Sequence, residues 1–266
     1  MPAPLQWLLD PWQSSIVGPG AAVTVVVGAS AAAIGCWVLL RDLPYAAESL
    51  SHGMFPGLVA ASLLGIPIAV GGIAGLAIAA AAITAARRWV SPDNHAVAVA
   101  ITPLLGLGAI LALSGPVPPG VGDALFGDVL AADTTDLLTA LLLAPVLLLV
   151  LRTAHWRLLA SGVKSYDSSR MDTLVICLLA VATAMAARSL GALLAVALII
   201  GPASAAQRMT LRASSMLWLA SGIAALSAVV GIEVAWHAGV AAGPTIAICA
   251  IIPAAATVLI PKQTTT

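Results

Sequence analysis

The chain is predicted to be an all-α integral membrane protein, a polytopic helical bundle of about eight or nine transmembrane helices. Three observations predict this. Of its 266 residues, 61% are hydrophobic and 8% charged, where an ordinary soluble domain carries about 25% charge. Runs such as LLTALLLAPVLLLVL are apolar on every face and do not alternate. They therefore read as helices rather than barrel strands, since backbone groups in hydrocarbon must be paired internally. The length allows about nine spans of roughly 20 residues and leaves little chain outside them. This excludes a soluble catalytic domain on a membrane anchor. Eleven basic and eleven acidic residues cancel, which gives no sign of a nucleic-acid partner. Cys36, Cys177 and Cys249 lie in apolar runs without metal-ligand spacing and read as small core residues.

Residues 1–15 lack a basic region and carry Asp10, so they read as an outer interfacial lead-in rather than a cleaved signal peptide. Trp7 and Trp12 suit the headgroup layer there. Residues 16–261 read as one transmembrane domain, with spans expected near 16–40, 44–64, 67–88, 96–114, 134–152, 172–187, 190–206, 214–234 and 240–260. The stretch 190–206 is short and holds Gly191, Gly201 and Pro202, so a broken or partial crossing is expected. Residues 262–266 form a short tail.

Basic residues set the orientation. The segment 114–136 has no Lys or Arg but holds Asp123, Asp128, Asp133 and Asp136, so it is expected outside. Arg152, Arg157, Lys164 and Arg170 place the next connection in the cytoplasm, and Arg87, Arg88, Arg208, Arg212 and Lys262 fall on the same side. The N-terminus is thus expected outside and the C-terminus inside, in a plasma or inner membrane.

The informative polar residues lie in RDLPYAAESLSHGMFPGLVAASLLG, residues 41–65. Glu48 and His52 are four apart and share one helical face, with the hydroxyl of Ser51 beside them. Pro56 and Gly57 follow and are expected to weaken the helix there, as Gly201 and Pro202 are further on. Ionisable groups at membrane depth normally face a bundle interior or a wet path, and a carboxylate with an imidazole suits divalent cations such as Mn²⁺ or Zn²⁺. Two other readings stay open: a hydrogen-bonded pair that fixes packing, and a hydrated pair at the interface. Glu233 and His237 repeat the spacing near an outer helix end, as an interfacial pair or a cation vestibule. The outer acids, Asp128 among them, read as a solvated loop, or as groups that attract cations or dock a partner. The inner segment around 153–171, with Trp156, Leu158, Leu159, Arg157 and Lys164, reads as a positive-inside loop or a platform for a soluble partner. His95 and His155 read as loop residues. No phosphate loop, H-E-x-x-H or G-x-S-x-G is present, so the chain itself is not expected to hydrolyse nucleotide or act as an enzyme.

These residues resemble the membrane permease of the manganese/zinc/iron-type ABC importers. That family leads with G-C-F-x-x-x-R-R into D-A-L-S-H-A-x-x-P-G; here Gly35-Cys36-Trp37 and Arg41-Asp42 precede Glu48-Ser49-Leu50-Ser51-His52 and Pro56-Gly57. LFGDVL at 125–130 is similar to L-F-G-D-I-L, with Asp128 in the Asp position. LGALLAVALIIGPASAAQ at 190–207 resembles G-x-L-L-V-x-A-L-L-I-I-P-A-A-T-A, and GPTIAI at 243–248 resembles G-P-x-I-V. Glu48 stands where the family has Asp, Gly201 is inserted before Pro202, and 157–170 lacks F-D-x-x-x-A-x-x-x-G. Glu233 and His237 match no family position.

The resemblance implies an ABC-importer permease fold and a pore of two copies in membrane lipid. It also implies two cytoplasmic ATPase subunits and an extracytoplasmic metal-binding protein that delivers Mn²⁺ or Zn²⁺ as cargo, with no tightly bound cofactor. Glu48 and His52 inherit the metal pathway, and 155–170 the coupling segment. Alternatives are a permease for a metal chelate or cobalamin-like ligand, and a secondary metal transporter without an ATPase.

Overall fold

The computed structural model describes residues 10–14, 17–114, 127, 129, 132–161 and 168–259, and of 188, 189, 192 and 193 the backbone only. The described residues form nine long helices and no strand. These are α1 (Val17–Leu40), α2 (Pro44–Leu63), α3 (Ile68–Ala86), α4 (Asp93–Leu113), α5 (Thr134–Ser161), α6 (Ser168–Leu190), α7 (Ala192–Met209), α8 (Ala213–Ala238) and α9 (Ala242–Val258). Asp128 and Lys164, with Asp123, Trp7 and Lys262, lie outside the described residues.

A helix stands at each expected span, but the helices differ in length and apolarity. Six of the described helices are long and apolar enough to cross a membrane: α1, α3, α4, α5, α6 and α8. In α2 the run is diluted by Glu48, Ser49, Ser51 and His52, and α7 and α9 are short.

A helix apolar on all sides is either a core helix or one that spans a membrane; α1 is central, with 72% of its span covered, whereas the equally apolar α4 is covered over only 22%. α1 packs against α5, α6, α7 and α8. To one side α2, α3 and α4 form a tight group, to the other α7, α8 and α9, and α6 touches both.

The expected helix breaks are absent. Pro56 and Gly57 lie within an unbroken α2, and Gly201 and Pro202 within an unbroken α7. Each proline removes one backbone donor without ending its helix, and the glycines serve close approach instead. A Cβ on Gly57 would overlap the Gly71 carbonyl on α3, and one on Gly201 the Ala250 carbonyl on α9. Small residues at crossings are how membrane helices bring their backbones together. The real interruption is Gly191, the single residue between α6 and α7, with φ +77°.

Short connections make neighbours antiparallel, and side chains confirm which termini meet. The C-terminal ends of α1, α3 and α5 join the N-terminal ends of α4 and α6 through one ion-pair cluster. Arg208 at the end of α7 donates to the Thr257 carbonyl near the end of α9 at 2.9 Å. Arg41, Arg87, Arg88, Arg152, Arg157, Arg170, Arg208 and Arg212 thus share one end of the bundle. At the opposite end Asp133 caps α5, accepting from the backbone of Thr135 and Asp136 at 2.9 Å, while Asp136 accepts from the Asp133 N–H at 3.1 Å. This reciprocal capping box satisfies helix-end donors, so these two acids have a local structural task.

Candidate functional site

The site is built on the first half of α2, whose first turn opens with a proline that needs no amide partner there. At about 1.5 Å rise per residue, Glu48 and His52 lie roughly 6 and 12 Å from the helix start, in the basic half of the bundle. Glu48 is exposed and His52 half-buried on this single chain, and Tyr45 on the same stripe is 40% exposed. Glu48 is therefore not the buried acid that an apolar span leads one to expect. α2 turns this side away from the helices of its own chain and gives its other sides to α3 and α4.

The pair is not hydrogen-bonded to itself, and neither member has a hydrogen-bond or ion-pair partner among the described residues. The packing-pair reading therefore lacks its bond. Ser51 is turned inward, 1% exposed, and its Oγ meets no partner among the described residues. A carboxylate and an imidazole left unengaged on one uncovered face can offer a cation two donors, fewer than a full coordination shell. No group of three or more His, Cys, Asp or Glu able to hold a metal occurs among the described residues.

Glu233 and His237 also meet, on the last turns of α8 at the end away from the arginines. His237 Nε2 lies 3.3 Å from Glu233 Oε2, and the Trp12 indole N–H donates to Glu233 Oε1 at 2.8 Å. Glu233 thereby ties the N-terminal segment to α8, a contact between residues 221 apart in sequence.

The segment at 153–161 is no separate helix but the continuation of α5, a 28-residue helix that runs past its expected end near 152. Its apolar patch is split by helical spacing: Trp156 is 76% exposed, Arg157 and Leu159 also face outward, and Leu158 is buried. His155 is likewise helical rather than in a loop, and its ring meets buried Trp37 edge-on, centroids 5.4 Å apart. His95 lies in the first turns of α4. Cys177 is exposed, not a core residue.

Sequence reasoning missed the ion-pair cluster. Asp172 on α6, 7% exposed, accepts from Arg41 Nε through one oxygen and from Arg87 at 2.7 Å through the other. Arg41 also donates to Ser161 Oγ at 2.9 Å and to the Ser168 carbonyl at 3.0 Å, and Arg87 reaches Asp93 at 2.7 Å. Burial opposes the Arg87 charge, but the flanking carboxylates of Asp93 and Asp172 outweigh it and hold the guanidinium above its usual range. The signal available in sequence was a lone acid, Asp172, just past a basic segment, with Arg41 abutting an apolar run.

Comparison with known proteins gives a consistent result. A profile of the ABC 3 transport family matches residues 13–260. The manganese transport system membrane protein MntC of Halalkalibacterium halodurans is 30% identical over 236 residues, covering 85% of this chain and 80% of that protein. The manganese import system permease protein ScaB of Streptococcus gordonii is 27% identical over 248 residues, covering 90% and 89%. Among solved structures, PsaBC from Streptococcus pneumoniae in complex with Fab superposes with a TM-score of 0.82 at 26% identity, covering 97% of both chains.

Proposed function

The chain belongs to the ABC 3 transport family, and from that premise we propose that it is the permease subunit of an ATP-driven importer. Its cargo is a divalent metal cation, Mn²⁺ or Zn²⁺, which it moves by alternating access across a plasma or inner membrane. Similarity to proteins named as manganese permeases favours manganese. The single observation that carries the reading is the unengaged Glu48–His52 pair on the uncovered face of α2.

Two copies facing each other through α2 bring together two carboxylates and two imidazoles. Such a set binds a partly dehydrated cation well enough to admit it and weakly enough to release it. The cytoplasmic ATPase subunits belong at the arginine-rich end, by the positive-inside bias. Trp156 and Arg157, exposed on α5, form the docking surface there, and Lys164, which lies outside the described residues, is the third coupling candidate. ATP binding by that partner shifts the inward and outward states as a rigid-body event. The metal-binding protein docks at the opposite end, where Glu233 and His237 are vestibule candidates; Asp128, a further candidate, lies outside the described residues. A permease for a bulky chelate needs a wide pore without charged ligands, and Glu48 and His52 argue against it. A secondary transporter has no use for the family's ATPase-dependent design.

The test is ATP-dependent uptake of ⁵⁴Mn²⁺ and ⁶⁵Zn²⁺ into proteoliposomes holding the permease with its ATPase and binding protein. Glu48→Gln and His52→Ala are expected to abolish uptake while the complex still assembles; transport at the wild-type rate in both variants overturns the pathway.

A further inference from the structure

A second feature of the bundle is unused by this pathway. A groove of about 970 Å³ lies between α3, α5 and α6, floored by α1 and the inner side of α2. Its walls are apolar, with Ile73, Ala77, Leu143, Cys177 and Val181 among them. It runs along α3 from Ile68 to Arg88, roughly 30 Å at helical rise, which matches the hydrocarbon core of a bilayer.

The two ends differ in charge. Among the described lining residues Arg88 is the cation, at the end shared by the other arginines, and Asp136 is the anion, at the other end. Arg88 is exposed and has no hydrogen-bond or ion-pair partner among the described residues, whereas its neighbour Arg87 is held by Asp93 and Asp172. Trp89, next in sequence, is 88% exposed at the same level, where an indole suits the headgroup layer.

We propose that this groove binds an anionic phospholipid, its phosphate on Arg88 and its acyl chain along the wall between α3, α5 and α6. The charge arrangement selects the leaflet. Basic residues attract the anionic lipids of the cytoplasmic face, while Asp136 repels an anionic headgroup entering from the other side. A second copy of the chain does not fill the groove if the two copies meet through Glu48 and His52. Met54 and Leu58, which floor the groove, lie about 120° around α2 from that pair at 3.6 residues per turn.

The experiment is native mass spectrometry of the assembled transporter released from nanodiscs holding equal phosphatidylglycerol and phosphatidylcholine. Wild type is expected to retain phosphatidylglycerol selectively. Arg88→Gln is expected to lower that retention about fivefold, the worth of one basic residue at a membrane surface, and Arg88→Lys to restore most of it. Ala77→Trp, at an exposed wall position, is expected to expel lipid of either headgroup. Equal retention of both lipids by wild type, or retention unchanged in Arg88→Gln and Ala77→Trp, overturns the proposal. So does oxidative linkage of Cys177 to the partner copy's Cys177, which places protein in the groove. Loss of transport in Glu48→Gln leaves these readouts untouched, so failure of the groove and failure of the metal pathway are distinguishable.

Discussion

One methylene separates Glu48 from the aspartate that the resembling family carries at this position, and one exposed helical face decides what that carboxylate can reach. Because Glu48 is exposed and unpaired on the single chain, its neutral isostere removes charge without breaking an internal contact. Glu48→Gln is therefore expected to leave the purified complex with an unchanged melting temperature, within the roughly 0.5 kcal/mol typical of surface changes, while metal uptake falls to background. Glu48→Asp is expected to keep uptake, since the shorter arm still presents a carboxylate. Isotope flux and thermal unfolding on the same preparations read both outcomes. The pair itself was legible in the sequence, because i and i+4 fall on one face whatever the tertiary structure. Its exposure was not, because that depends on which side of α2 its neighbours leave uncovered. The Trp12–Glu233 bond was out of reach for the same reason: it joins residues 221 apart that only the fold brings together.

Helices were the most readable level, since apolar runs of span length leave few alternatives in lipid. Arg152 marks the edge of the apolar run, yet α5 continues to Ser161 and buries Leu158 against the bundle. Pro56 and Pro202 read as breakers, yet both helices run through them, and the adjacent Gly57 and Gly201 are held by helix crossings that no local pattern reveals. The ion-pair cluster is the element-scale feature with the largest expected consequence. Asp172 bridges Arg41 and Arg87, which flank it at 6% and 10% side-chain exposure. Removing one member of a buried ionic group strands the others and costs about 3–5 kcal/mol. Asp172→Ala is expected to lower the melting temperature of the complex and its yield by a clear margin, with Asp172→Glu recovering part of both. An unchanged melting temperature in Asp172→Ala shows that the cluster is hydrated and energetically idle.

For the whole molecule, sequence reasoning located both ends through charge but not the faces that meet other chains, since those faces are defined by what the bundle fails to cover. Two of the proposed contacts with other chains are testable at this scale. Reversing Arg157 and Lys164 to glutamate puts negative charge where the ATPase is proposed to dock, and the ATPase is expected to co-purify at a fraction of its wild-type ratio; full co-purification moves the docking surface elsewhere. The second concerns symmetry. In a two-fold dimer the same patch is used by both copies, so a residue near the axis meets its own counterpart. Tyr45 is 40% exposed, one turn before Glu48 and on the same stripe, hence it lies near the axis if the metal path runs between two α2 helices. Tyr45→Cys, in a background with Cys36, Cys177 and Cys249 replaced by alanine, is expected to yield a covalent dimer on mild oxidation in membranes. Trp218→Cys, at an 80% exposed position on α8, serves as the lipid-facing control and is expected to stay monomeric on the same gel. Linkage through Trp218→Cys and not through Tyr45→Cys places the pair interface on the α8 side. Glu48 and His52 then face lipid in each copy, and a path that relies on ligands from both subunits has no second half.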